Sequence, residues 1–315
     1  KIWGNFRFLK PLPHCRSYVN VYPKWKKDFF FDSLEHIHKS SEVKRIVLLK
    51  NFIARSPDNS IPITDVSKRG LQFDVKIRVA TFLRQYPAIF EEFVGPNYNL
   101  PWFRLTKEAI KVHVEETELF ENRLDDLTLR LKKLISMSKE NTLPIKIVKG
   151  FLWYLGLPLD FTDNVPDFPL FPRKGLRLRA KINDWLAEFQ KIQYVSPYDD
   201  FFTLNRDCEL AEKRLVAFLH ELLALFVDHS AQRRKLLCLK KYFALPQKFH
   251  KAFERHPHIF YLSPRNGTCT AILKEPYKVE AAIAKHPMLD VRMKYVELIQ
   301  QSRAIIKTKR KNNQN

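Results

Sequence analysis

The chain has 315 residues, 45% of them hydrophobic, which is enough to bury a sizeable core in about two or three domains. Its 55 Lys and Arg against 34 Asp and Glu leave a net charge of +21, which favours a polyanionic partner, nucleic acid first and an anionic membrane surface second. No apolar run approaches the ~20 residues needed to cross a bilayer, and the four cysteines, far apart in sequence, argue against a disulfide framework and a zinc site.

In chain order, residues 1–27 hold Lys1, Arg7, Lys10, Arg16, Lys24, Lys26 and Lys27 with no acid before Asp28. This reads as a basic leader or transit-peptide remnant, or as a basic arm that touches RNA, and the start at Lys1 fits a fragment or processed form. Residues 28–106 read as a first repeat unit. Ile46, Leu49, Phe52 and Ile53 recur at helical spacing, and after the turn Ser56-Pro57-Asp58-Asn59-Ser60 so do Val75, Val79, Phe82 and Leu83. Past Tyr86-Pro87-Ala88-Ile89-Phe90 the period changes, and residues 89–94 and 101–105 read as strands around the turn cluster Gly95-Pro96-Asn97-Tyr98-Asn99. Helices followed by a hairpin describe a winged-helix-like unit.

Residues 107–171 read as a second, shortened unit. Its first part, 107–134, is expected to be one long helix whose acids Glu108, Glu115, Glu116, Glu118, Glu121, Asp125 and Asp126 form a solvated face turned away from nucleic acid. Then Ser138-Lys139-Glu140-Asn141 leads to Leu143-Pro144-Ile145 as Ser56-Pro57-Asp58-Asn59 leads to Ile61-Pro62-Ile63, with 82 residues from Pro62 to Pro144. Residues 172–200 form a basic connecting segment whose Arg173, Lys174, Arg177, Arg179 and Lys181 make the sharpest cationic cluster. Residues 201–300 read as a third unit, with an apolar helix at 215–227, the turn Asp228-His229-Ser230 and a second cationic cluster. That cluster holds Arg233, Arg234, Lys235, Lys240, Lys241, Lys248, Lys251 and Arg255 against the single acid Glu254. His256-Pro257-His258-Ile259-Phe260-Tyr261 stands where Tyr86 to Phe90 stand in the first unit, and Asn266-Gly267 marks a hairpin turn. Aromatic residues at exposed wing tips are candidates to stack on unpaired bases. A last helix at 291–306 runs into a basic tail, set at 301–315 and expected to be disordered.

The fold class expected is mainly α with short β-hairpins, built as about three winged-helix-like repeats, the second without its hairpin. Chemistry is nearly absent. His220-Glu221-Leu222-Leu223-Ala224 carries Ala224 where a zinc protease needs its second histidine, and His256 with His258 has no third metal ligand at a typical spacing. The seven glycines form no phosphate-cradling pattern, and Gly150 and Gly156 flank the apolar stretch 151–155, which reads as helix core. No catalytic residue, metal or cofactor is assigned, and an enzyme is not expected. For a metal-dependent nuclease, only Asp199, Asp200 and Asp207 lie near a basic track.

In sequence the chain resembles the plant organelle RNA recognition (PORR) family. The likeness lies in the run from Ser56 to Ile63, in Phe82-Leu83-Arg84-Gln85-Tyr86-Pro87-Ala88-Ile89-Phe90 followed by Phe103-Arg104-Leu105-Thr106, and in Gly156-Leu157-Pro158. It continues through Asp184-Trp185, Tyr194-Val195-Ser196-Pro197-Tyr198, Ala211-Glu212-Lys213-Arg214 and His220-Glu221-Leu222-Leu223. It closes with Leu245-Pro246-Gln247-Lys248-Phe249, His256-Pro257-His258-Ile259-Phe260-Tyr261-Leu262 and Lys285-His286-Pro287. The resemblance implies binding of organellar intron RNA and support of group II intron splicing in a mitochondrion or chloroplast, without catalysis, and with other splicing factors or a maturase as further partners. One departure stands out: after Asp163-Asn164-Val165-Pro166-Asp167-Phe168 the family runs through a hairpin, whereas here Pro169-Leu170-Phe171-Pro172 joins the basic segment directly. The rival readings are a winged-helix-type DNA-binding factor and a scaffold that recruits a maturase or nuclease.

Overall fold

The structure, a computed structural model, describes residues 26–56, 58–95, 100–158, 209–278 and 285–312. Two short helices, α1 (Phe29–Ser33) and α2 (Glu35–His38), lead into α3 (Ser40–Ala54). Val43, Ile46, Leu49, Lys50 and Ile53 follow one another on α3 at steps of three, three, one and three, and all are buried, so one face of the helix enters the core. Then come β1 (Ser60–Pro62), α4 (Ile63–Ser67), a 3₁₀ turn at Gly70–Phe73, α5 (Val79–Arg84), β2 (Phe90–Val94) and β3 (Pro101–Leu105). The three strands form an antiparallel sheet in the order β1-β3-β2, with Phe90 opposite Leu105 and Ile61 opposite Phe103. Both hairpin strands fall where the change of period places them. The helix expected at 75–83 is shorter than its apolar spacing implies, because Asp74 adopts a left-handed conformation (φ 54°) that delays the helix until Val79.

The expected long helix at 107–134 is two helices, α6 (Lys107–Asn122) and α7 (Leu124–Ser136), which meet at Arg123. The physical reason is burial. Ala109, Val112 and Glu116 of α6 face the first unit, whereas Leu127, Leu131 and Leu134 of α7 enter a different core, and one straight helix cannot face both. Helix α8 (Ile145–Leu155) ends at Gly156, whose φ of 79° suits glycine; a Cβ there would come within 2.5 Å of Val227. Further on lie α9 (Glu209–Ala224), β4 (Ser230–Gln232), α10 (Arg233–Leu237), α11 (Ala252–Arg255), β5 (Phe260–Ser263), β6 (Thr270–Leu273), α12 (Glu275–Lys278) and α13 (Pro287–Asn312). Their sheet has the order β4-β6-β5, the topology of the first. Its turn is longer than a two-residue Asn-Gly turn, with a 3₁₀ segment at Arg265–Gly267.

The repetition is visible in the backbone itself. Asn59, Asn141 and His229 take left-handed φ values of 48°, 50° and 44°, and Asp74, Gly156 and Ala244 take 54°, 79° and 47°. Asn59 to Asn141 and Asp74 to Gly156 are both 82 residues, and Asn141 to His229 and Gly156 to Ala244 are both 88. In each unit the first such position closes a long helix and the second precedes the next apolar segment. Among the described residues the second unit contributes no strand, and its expected missing hairpin falls on residues outside them.

Two cores hold the units together. One joins α7 and α8 with the third unit; the other joins the first unit with Met288, Leu289, Val291, Tyr295, Val296, Leu298 and Ile299 of α13. The other end of the chain makes the reverse crossing, since Phe31 of α1 stacks on Tyr261 of the third sheet at 5.2 Å and Ser263 donates to Asp32 at 2.6 Å. The expected solvated acidic face is corrected at Glu116, which is buried and receives the ammonium of Lys50 and the hydroxyl of Tyr295 (3.2 Å), while Lys50 Nζ lies 2.8 Å from His113 Nδ1. The expected disordered tail is corrected too: α13 continues to Asn312. Lys307, Lys309, Arg310 and Lys311 occupy its last turns, where cations stabilise a helix C-terminus, and Thr308 donates to the carbonyl of Ala304 at 3.1 Å.

Removing one partner of a buried ion pair leaves the other charge stranded, so Glu116→Gln is expected to destabilise the fold by about 3–5 kcal/mol in urea denaturation. Lys50→Met combined with Glu116→Leu should recover most of that loss, and no recovery would mean that packing rather than charge dominates the site. Burial is the main cause that pushes the His229 imidazole down to about 4, from an ordinary 6.5. The unfolded chain therefore binds a proton that the folded chain resists, and stability is lost as pH falls below 6.5 and on toward 4. His229→Asn, which installs the residue present at Asn59 and Asn141, is expected to flatten that part of the stability–pH curve; an unchanged slope would refute the assignment.

Candidate nucleic-acid interface

Of the ten cations singled out from the sequence, Arg173, Lys174, Arg177, Arg179 and Lys181 lie outside the described residues. The other five sit on α10 and the loop after it. Strand β4 anchors the start of α10 through Ala231, opposite Ala271, and the N–H of Arg233 donates to the carbonyl of Cys269 at 2.8 Å. Leu236 is buried on the inner side of α10, which leaves Arg234 and Lys235 exposed on the outer. Arg233 is half-buried 3.8 Å from Glu254, and Lys240 reaches the side-chain carbonyl of Gln247, closing a short loop that carries the exposed Lys241, with the exposed Lys248 next in the chain.

Other cations of this cluster are taken up by the fold. Arg255 donates two hydrogen bonds to Glu212, at 2.8 and 2.6 Å, and His256 Nε2 stands 3.0 Å from the same carboxylate. Burial pushes the Glu212 carboxyl up, but His256 and Arg255 more than offset it and hold it below the usual range. His256 therefore serves the core rather than pairing with His258 for a metal. Among the described residues no group of three or more His, Cys, Asp or Glu could hold a metal ion. The first unit repeats this arrangement, for Tyr86 donates to Glu42 at 2.9 Å, and Glu42 and Tyr86 precede Glu212 and His256 by the same 170 residues. Arg84, the cation of α5, is likewise held by Glu92 at 2.5 and 2.7 Å. The helices that precede the two hairpins, α5 and α11, thus have their arginines neutralised by carboxylates.

The two sheets differ on their outer faces. On the first, Phe93 lies across from Trp102 with ring centroids 6.3 Å apart, and the guanidinium of Arg104 lies 5.1 Å from the Phe93 ring. The Trp102 indole occupies the space of a side chain at Gly95, coming within 1.9 Å of where a Cβ would stand. On the third, Tyr261 and Ile272 are buried beneath Phe31, so that hairpin's aromatic residues serve packing and not stacking on bases. Lys44 and Arg45 escaped the sequence reading. They lie one turn along α3 from Ser41, whose hydroxyl accepts from the side-chain amide of Gln232 at 3.2 Å, beside α10. Their neighbourhood with Arg234 and Lys235 arises from residues 191 apart in sequence, so no local pattern announces it.

Comparison with known proteins adds a family pattern. The profile of the plant organelle RNA recognition domain matches residues 26–169 and again 162–304. The chain is 51% identical to Protein WHAT'S THIS FACTOR 9, mitochondrial, of Arabidopsis thaliana, over 95% of this chain and 90% of that one. That alignment runs over 349 positions, more than the 315 residues present, so the relative carries segments without a counterpart here. It is 25% identical to Protein WHAT'S THIS FACTOR 1, chloroplastic, of Zea mays, over 88% of this chain but only 66% of that longer protein. It is 23% identical to Protein ROOT PRIMORDIUM DEFECTIVE 1 of Arabidopsis thaliana, over 87% and 82% of the two chains. No solved structure matches.

The division between structural and free cations is measurable as stability. Arg255→Ala leaves a largely buried Glu212 short of its guanidinium and is expected to cost about 3–5 kcal/mol in chemical denaturation. Arg234→Ala and Lys241→Ala, on exposed positions, should stay within about 0.5 kcal/mol of the parent. Equal losses at all three sites would overturn the division.

Proposed function

The chain belongs to the plant organelle RNA recognition domain family, and from this premise we propose that it is a non-catalytic RNA-binding protein of plant mitochondria that binds group II intron RNA and promotes its splicing. The observation that carries the reading is the charge pattern. Arg234, Lys235, Lys241 and Lys248 are exposed and, among the described residues, form no ion pair, while the arginines of α5 and α11 are neutralised. Free cations on exposed helix and loop positions suit phosphates, which they neutralise with release of counterions and a salt-sensitive affinity. The basic segment at 173–181 adds five more cations to the same task. Base preference then comes from unpaired bases, for which the Phe93 and Trp102 rings offer a stacking surface. Bound in this way, the protein holds an intron in a splicing-competent shape, with a maturase or other splicing factors as further partners.

A duplex-DNA reader is disfavoured by the same pattern. In a winged helix that reads a groove, the helix ahead of the wing presents free donors to base edges, whereas α5 and α11 are short and their arginines already bind Glu92 and Glu212. The mitochondrial address follows the 51%-identical relative, whose name carries it, and the chloroplast is the alternative compartment. Crosslinking and immunoprecipitation from plant mitochondria, with sequencing of the bound RNA, is expected to enrich one or a few group II introns, and the same introns should accumulate unspliced when the protein is lost. Recovery of background RNA alone would overturn the reading.

A further inference from the structure

The first and third units meet along a line on which the cations of both converge. Ser41 of α3 accepts from the side-chain amide of Gln232 of β4 at 3.2 Å. Lys44 lies three residues beyond Ser41 and Lys235 three beyond Gln232, so each stands one helical turn from this fixed contact. Arg45 and Arg234 flank them. Among the described residues Lys44, Arg234 and Lys235 have no carboxylate partner, and Arg45 has only Asp74, at 3.6 Å and largely exposed to solvent. Among the described residues several half-buried and buried cations meet carboxylates: Lys50 meets Glu116, Arg130 meets Asp126 and Arg292 meets Asp228. The half-buried Lys44 has no such partner.

We propose that this seam is a composite phosphate site, at which Lys44 and Arg45 of the first unit and Arg234 and Lys235 of the third grip the same stretch of RNA backbone. The site rests on the reading of the chain as an RNA binder and deepens it, because it requires both units to be present in one fixed arrangement. A phosphate between the two lysines supplies an anion close to both. Burial, and after it the neighbouring Lys235 ammonium, outweigh the opposing pull of the exposed Asp74 and hold the Lys44 amine below the usual lysine range, so the free protein bears a cost that bound phosphate relieves. The consequence is a signature that a merely solvated lysine lacks. Neutralising Lys44 removes an unfavourable charge from the free protein and at the same time removes a contact to RNA.

The test uses the full chain, a single-stranded RNA from a plant mitochondrial group II intron as probe, and the variants Lys44→Gln, Lys235→Gln and the pair. Each single variant is expected to weaken RNA binding by about threefold to tenfold and to lower the salt slope by about 0.7, the share of one phosphate contact on a single strand. The double variant should lose less than the product of the singles, because both lysines serve one stretch of backbone. Lys44→Gln should melt at the same temperature as the parent or higher, and in acylation footprinting RNA should protect Lys44 and Lys235 together. If the parent binds RNA while the variants bind equally well, the seam is refuted and the RNA-binding reading stands. If the parent binds no RNA, or if only duplex DNA protects the two lysines, both fall. Strictly multiplicative losses in the double variant would also overturn the composite site, leaving two independent contacts.

Discussion

The arrangement of the units depends on the buried guanidinium of Arg292. It stands 2.9 Å from the carboxylate of Asp228, donates to the carbonyl of Trp153 and lies 4.1 Å from the centre of the Trp153 ring. Trp153 in turn donates to the hydroxyl of Ser40 at 2.8 Å, which donates to Asp228 at 3.3 Å, while Tyr277 donates to the Asp228 carbonyl at 2.8 Å. One residue from α13 thus joins the start of α3, the end of α8, the turn before β4 and α12. A buried charge must keep its partners or be stranded at a cost of several kcal/mol, so these elements hold one mutual geometry. The seam with Lys44 lies beside this junction and inherits its rigidity.

Around that junction the chain exchanges its ends. The helices that open the first unit, α1 and α2, cover the outer face of the third sheet, and the helix that closes the third unit, α13, fills the core of the first. Each unit is completed by a segment far away in sequence. The exchange also explains why the outer faces of two sheets of the same topology differ. The third is covered by Phe31, whereas the first keeps Phe93, Trp102 and Arg104 half-buried or exposed.

The same architecture distributes the charge. Glu116, Asp126, Glu212 and Asp228 are drawn inward or into close pairs with Lys50, Arg130, Arg255 and Arg292. The His286 hydrogen bond first, and then Arg130, hold the Asp126 carboxyl down at about 2 against the opposing effect of burial, so it stays ionised in its pair. Carboxylates committed in this way are not available to the surface cations of α10 and its loop. Among the described residues Arg234, Lys235, Lys241 and Lys248 thus keep their charge for the surface, within a net charge of +21 for the whole chain.

Much of this was legible in the sequence. The change of period after Phe90 located β2 and β3, the echo of Pro62 in Pro144 announced the repeat, and the charge balance pointed to a polyanion. These are local or additive properties that a linear chain carries without folding. Strand β1 was not legible, because three residues are too few for an alternating pattern and Ile61 becomes a strand residue only by pairing with Phe103. Which cations are free was equally hidden. Arg255 and Arg234 look alike in sequence, and only the approach of Glu212, 43 residues away, makes the first structural. The break at Arg123 and the burial of Glu116 were decided by which core each helix face enters. Composition and period determined the kind of protein; contacts between residues distant in sequence determined which of its charges are left to bind.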